Sequence, residues 1–261
     1  MINRHAWRVV IALGRRSVKQ TFRRPQLMAP LLIFPTLLLA IQTGGAGRAV
    51  DLPGFPPVQS FLAFMLAGAM VQSTLLAGNS GGIALAVDIE MGFTDRLLAA
   101  PIPRFAIVLG RLVGTAALGL FTAIWFLVIG YIFGVRVEEG LPGILVMIAF
   151  IVGSAVAFGS IGAAIALRTG SASVVQGMFP LVFVILFLST AFFPDDLLQE
   201  PAKTIAEYNP ASFIVDAVRD PVISSFTTDD MLKGLFGLAI VTVFGFVLAA
   251  RAMRHRLRTG G

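Results

Sequence analysis

Six stretches of this chain are apolar over lengths that suit the hydrocarbon core of a bilayer: 27–42, 58–86, 105–135, 141–167, 173–193 and 231–250. A helix needs about 20 such residues to cross that core, and backbone that is not hydrogen-bonded internally does not survive there. Runs of this kind predict an all-α membrane protein with six transmembrane helices. Only 13% of the residues are charged and 57% are hydrophobic, against about 25% charged in a soluble domain. The whole chain, 1–261, reads as one transmembrane domain.

The first run is the shortest and follows a basic leader, which is also the outline of a signal peptide. No small-x-small cleavage pattern closes it and five further runs follow, so it is read as a span. The leader itself, 1–25, is amphipathic at helical spacing. Arg4, Arg8, Arg15 and Lys19 share one face, with Trp7, Val10, Ile11, Val18 and Phe22 opposite. Such a helix lies in the headgroup layer and ends before Pro25. Gly44 to Pro57 reads as an external loop, rich in Gly and Pro.

Segment 194–230 is too polar to span and too long for a turn. Leu197, Leu198, Ile205 and Ala206, then Phe213, Ile214, Ala217 and Val218, predict short amphipathic helices divided at Asn209-Pro210. They either dip into the outer leaflet or rest on the bundle as a cap.

The formal net charge is +6, which in a soluble domain could point to nucleic acid. Here the distribution carries the meaning. With six crossings, fifteen of the 20 Lys and Arg fall on the face that holds both termini and five on the other. The positive-inside rule makes the termini cytoplasmic in a multi-pass protein of the cytoplasmic membrane, with no nucleic-acid partner.

Chemistry is sparse. There is no Gly-x-x-x-x-Gly-Lys-Ser/Thr phosphate loop and no cysteine, and the two histidines, His5 and His255, lie near opposite ends. No metal, cofactor or catalytic residue is expected in the chain itself. Gly78-Asn79-Ser80-Gly81 resembles the nucleophile motif of rhomboid intramembrane proteases over those four residues. A serine nucleophile needs a base, and no span carries a histidine, so small residues for close packing are the stronger reading of Ser80 and its neighbours. Gly110 and Gly114, and Ala155, Gly159 and Ala163, form similar small-residue stripes.

Polar residues inside the spans are few. Gln72 and Asn79 stand seven residues apart on one helix face, and with Gln176 they are the candidate substrate pathway. No carboxylate lies deep in a span, which speaks against a proton-coupled carrier.

The segment 88–104, Asp-Ile-Glu-Met-Gly-Phe-Thr-Asp-Arg-Leu-Leu-Ala-Ala-Pro-Ile-Pro-Arg, is charged and lies between two spans on the cytoplasmic face. From Glu90 onward it resembles the loop between the second and third spans of ABC type-2 exporter permeases, closest to the daunorubicin-resistance branch. The basic leader, the span order and Asn209-Pro210 extend the likeness over essentially the whole chain. Ile89 and Met91 stand where many members of that family carry arginine.

The resemblance implies a coupling helix, from about Thr94 to Ala99, seated in a groove of an ABC ATPase subunit that binds MgATP. Leu97 and Leu98 would form an apolar knob, Asp95 and Arg96 would orient it, Gly92 would turn the chain into it and Pro101 would stiffen its exit. Asp88 and Glu90 complete the expected ATPase-coupling set. The function implied is the permease subunit of an ATP-driven exporter, paired with an identical or related permease. Its cargo would be an amphiphilic drug, polyketide, lipid or lipid-linked glycan. An ATP-independent carrier or channel is the alternative.

Overall fold

The computed structural model describes residues 4–223 and 227–259. Eleven α-helices and two 3-10 turns make up the described secondary structure, with no strand among the described residues. The first helix, α1, covers Arg4–Phe22 and α2 covers Pro25–Ala46. The centre of the molecule is α3, Phe61–Glu90, opened by Ser60, whose hydroxyl accepts from the Ala63 amide at 3.2 Å. The short α4, Phe93–Ala99, leads to α5, Arg104–Ile132, and α6, Gly140–Thr169.

Nearly every residue of α3 is buried, so it has no face left for lipid. Two close approaches make this possible. On α3, a Cβ at Gly78 would meet the Phe158 carbonyl carbon at 2.7 Å, and on α6 one at Gly162 would meet the Gly78 oxygen at 2.6 Å. Backbones cross here with no side chain between them, as small-residue stripes allow in lipid. This is the role of the Gly78-Asn79-Ser80-Gly81 segment. The Ala155 and Gly159 stripe of α6 meets Gly119 and Thr115 of α5, while Gly110 and Gly114 of α5 receive Leu13 and Ser17 of α1.

The leader helix therefore differs from its sequence reading in one respect. Its packing face is Ala6, Val10, Gly14, Ser17 and Thr21, all buried, while Trp7, Ile11 and Phe22 remain exposed. Small residues set the contact with α5 and the large apolar ones are left for lipid.

The first span continues through Ala46 and is followed by a 3-10 turn, Gly47–Asp51, so the expected loop from Gly44 is shortened. Gly44 and Gly45 lower helix stability by about 1 kcal/mol each without forbidding the conformation. The expected fifth span, 173–193, is not one helix. It divides into α7, Ala172–Gly177, and α8, Phe179–Phe187, because Pro180 has no amide to continue the ladder through Met178. Among the described residues, five helices are thus long and apolar enough to cross a bilayer, joined by this shorter, broken apolar segment.

Beyond it come α9, Ala202–Tyr208, and α10, Pro210–Ile223, divided at Asn209 as the sequence predicts. Asn209 donates to the carbonyls of Ile185 at 2.8 Å and Leu188 at 2.7 Å, which satisfies oxygens freed at the end of α8. Its own Oδ1 accepts from the Ala211 amide at 2.9 Å and caps α10. A buried face of α10, including Ile214, Ala217 and Val218, packs against α3, α6 and α11, Thr228–Thr259.

The last helix runs well past the expected end at residue 250. Its 32 residues extend about 48 Å at 1.5 Å per residue, more than the ~30 Å core requires. The extra turns reach α4.

Candidate functional site

Where α3 ends, two residues, Met91 and Gly92, turn the chain into α4. Gly92 adopts φ +67°, a left-handed conformation that L side chains resist. A Cβ there would meet nothing within 4 Å, so the requirement is one of backbone conformation and not of space. The seven residues of α4 bury too little to hold themselves in place. Polar contacts from α4 and from the last turn of α3 to four other helices do so instead.

The first contact is made just before the turn. Asp88 is 2% exposed; its Oδ2 accepts from Arg16 of α1 at 2.9 Å and also pairs with Arg111 of α5. Gln20 of α1 donates to its Oδ1 at 3.2 Å. Arg111 reaches the Ala84 carbonyl at 3.2 Å, and the Ser17 hydroxyl donates to the Arg111 carbonyl at 3.2 Å. A carboxylate taken out of water needs this density of donors.

The same Arg16 guanidinium lies 3.7 Å from the centroid of the Phe93 ring, the first residue of α4. Glu90 accepts from the Ala172 amide at 2.7 Å and so caps α7 with a negative charge at its amino end. Arg256 of α11 donates to Asp95 at 3.0 Å. Together these tethers reach α1, α5, α7 and α11, with α1 engaged twice through Arg16.

Several expected coupling residues therefore stand differently from their sequence reading. Asp88 is enclosed by its own chain and holds the junction from within, because two arginines and a glutamine cover it. Leu97 lines a small cavity with Phe93, Thr94, Asp88 and Arg111, and Leu98 is half-buried, so the pair is not a projecting apolar knob. Thr94 and Leu97, one turn apart, form the inward face of α4. Met91, Asp95, Arg96 and Pro101 are exposed.

The candidate pathway residues are not brought together. Gln72 is 1% exposed, and neither polar atom of its carboxamide has a hydrogen-bond partner among the described residues. Asn79 is half-buried and lines a cavity of ≈ 140 Å³ with Phe158, Ile161 and Ile185, between α3, α6 and α8. Gln176 is exposed on α7 and does not line that cavity.

At the other end of α3 is a polar site that the sequence reading missed. Arg219 of α10 is 7% exposed; it donates to the Thr190 carbonyl at 2.7 Å and to Asp216 at 2.9 Å, and lies 3.9 Å from the Phe64 ring centroid. Thr190 in turn donates to Asp216 at 2.8 Å. Burial pushes the Asp216 carboxyl above the ordinary carboxylate range, against the opposing pull of Arg219 and the Thr190 hydroxyl. Only the three-residue spacing of Asp216 and Arg219 within an apolar helix hinted at this pair.

Helices of bilayer length gathered around α3 make this a multi-pass membrane protein. The sequence matches the ABC-2 type transporter family over residues 8–223. The chain belongs to that family, whose members serve as membrane permease subunits of ABC transporters. Among curated relatives, the daunorubicin resistance ABC transporter permease protein DrrB1 of Streptomyces coeruleorubidus is 23% identical over 219 residues, covering 83% of this chain and 72% of its own length. The ycf38 protein of Porphyra purpurea, whose name describes a transport permease, is 26% identical over 210 residues, 80% of this chain and 72% of its own. DrrC of Mycobacterium tuberculosis, whose name describes a doxorubicin resistance ABC transporter permease, is 24% identical over 184 residues, 67% of this chain and 66% of its own.

Proposed function

We propose that α4 is the surface on which an ABC ATPase subunit sits, and that the chain exports an amphiphilic compound as ATP, held as MgATP on that partner, drives the subunits between two states. The observation that carries this is the set of tethers around α4: Phe93 and Asp95 tie its seven residues to α1 and α11, and Asp88 and Glu90 fix the end of α3 just before it to α1, α5 and α7. Force applied to α4 is delivered to the bundle through charge-assisted contacts that hold their geometry.

Counting α7 and α8 as one broken crossing gives six crossings and returns the chain to its starting side. The concentration of Arg and Lys there supports cytoplasmic termini and a cytoplasmic α4. The exporter works as a pair of permeases, identical or related, with two ATPase subunits. Drugs, polyketides and lipid-linked molecules suit the apolar spans, and Asn79, on the cavity between α3, α6 and α8, is the polar group best situated to meet them, with Gln72 and Gln176 the further candidates.

The test is co-expression with the cognate ATPase, comparing pull-down and ATP hydrolysis for the wild type, Met91→Asp/Arg96→Glu and Leu97→Asp/Leu98→Asp. Loss of the complex in the first variant, with an unchanged melting temperature in detergent, is the expected result. Intact complex and activity in both would overturn the coupling assignment and favour a carrier that works without ATP.

A further inference from the structure

A groove of ≈ 480 Å³ runs between the first turns of α5 and the last turns of α11, within the ~300–1,000 Å³ of small-molecule sites. Its walls are apolar, with Val108 and Leu109 on one side and Phe246 and Ala250 on the other. Two cations also line it: Arg104 from the start of α5 and Arg254 from α11.

Both arginines are exposed, and neither makes an ion pair or hydrogen bond among the described residues. The carboxylates at this end of the bundle are already committed: Asp88 to Arg16 and Arg111, Asp95 to Arg256, and Glu90 to the Ala172 amide. Among the described residues, no carboxylate at this end is left to pair with Arg104 or Arg254. An apolar trough at the edge of a span, closed by two unpaired guanidinium groups, has the chemistry of a phospholipid in profile: acyl chain below, anionic headgroup above.

We propose that this groove is a binding site for one anionic phospholipid of the surrounding leaflet, its headgroup phosphate held by Arg104 and Arg254 and an acyl chain lying along Val108, Leu109, Phe246 and Ala250. The occupant is a resident lipid and not cargo, because the groove opens on the outside of the bundle between α5 and α11, away from the α3, α6 and α8 cavity at Asn79. It fills the gap between the two helices that flank α4, one continuing from it and the other holding it through Asp95.

The full-length chain, delipidated in detergent, is titrated with phosphatidylglycerol or phosphatidylcholine of matched acyl chains and read by native mass spectrometry. One phosphatidylglycerol should be retained about tenfold more tightly than phosphatidylcholine, given the attraction two cations supply. Arg104→Gln/Arg254→Gln should abolish that preference, whereas Arg8→Gln/Arg15→Gln, which removes the same charge from exposed positions of α1, should leave it unchanged. Ala250→Trp, a substitution on the exposed wall, should displace both lipids from the tight site and keeps the proposal testable if the double arginine variant does not fold. Equal retention of the two lipids by the wild type would overturn it. So would equal loss in the α1 control, or a lipid preference retained by Arg104→Gln/Arg254→Gln.

Discussion

Arg16 of the leader helix lies 3.7 Å from the ring centroid of Phe93 while it pairs with Asp88, so one guanidinium spans both sides of the turn that carries α4. A cation over an aromatic face contributes about 0.5–2 kcal/mol, depending on desolvation. Arg16 is also partly open to water, which weakens its share of the ion pair. Arg16→Gln is expected to lower stability by only about 1 kcal/mol yet reduce transport per ATP hydrolysed, measured in proteoliposomes containing the ATPase complex. Unaltered coupling would mean that the tether is dispensable.

Asp88 and Arg111 present the opposite case, because both are buried. Removing Asp88 leaves Arg111 charged and without its ion-pair partner, at a cost of about 3–5 kcal/mol, whereas replacing both with apolar residues of similar volume is far milder. Asp88→Leu should therefore melt much earlier than Asp88→Leu/Arg111→Met in detergent. A double variant no better than the single would refute mutual compensation.

Gly92→Ala should destabilise the α3–α4 turn by about 1–2 kcal/mol through its positive φ alone. Gly92→Asn should lose less, since asparagine visits that region more readily. Limited proteolysis of the turn would rank the three proteins, and the same rate for all would argue that the turn relaxes.

Gln72 makes a prediction that separates stability from transport. A buried amide without partners costs about 1–3 kcal/mol, so Gln72→Met should raise the melting temperature. If the side chain meets cargo, export of an amphiphilic dye should fall in the same variant. Higher stability with full export would remove Gln72 from the pathway.

Much of this architecture is written in the sequence because bilayer crossing depends on local properties: run length, apolar content and the prolines and glycines that interrupt a helix. The division at Asn209-Pro210, the turn at Gly92 and the role of Gly110 and Gly114 in close packing all follow from residue type. The contacts that hold α4 do not. Arg16 and Asp88 are 72 residues apart and Arg256 and Asp95 are 161 apart, and no periodicity announces such pairs. The inward turn of Leu97 was hidden for a related reason. A helix of two turns has no strong moment of its own, and its orientation is set by the left-handed residue before it. The continuation of α11 past residue 250 was legible after all in Arg251, Arg254 and Arg258, which recur at helical spacing.

The near-complete burial of α3 also bears on what this protein can become. A helix with a lipid-facing side can exchange one bulky apolar residue for another at little cost, but α3 has no such side. At Gly78 and Gly82 even a methyl group would strike the backbone of α6. Diversification toward new cargo is therefore confined to the few cavity-lining positions of α3 such as Asn79 and to outward positions on α2 and α8, while the rest of the central rod stays fixed. Saturation mutagenesis of α3 would trace that boundary as an almost unbroken band of intolerance around the whole helix.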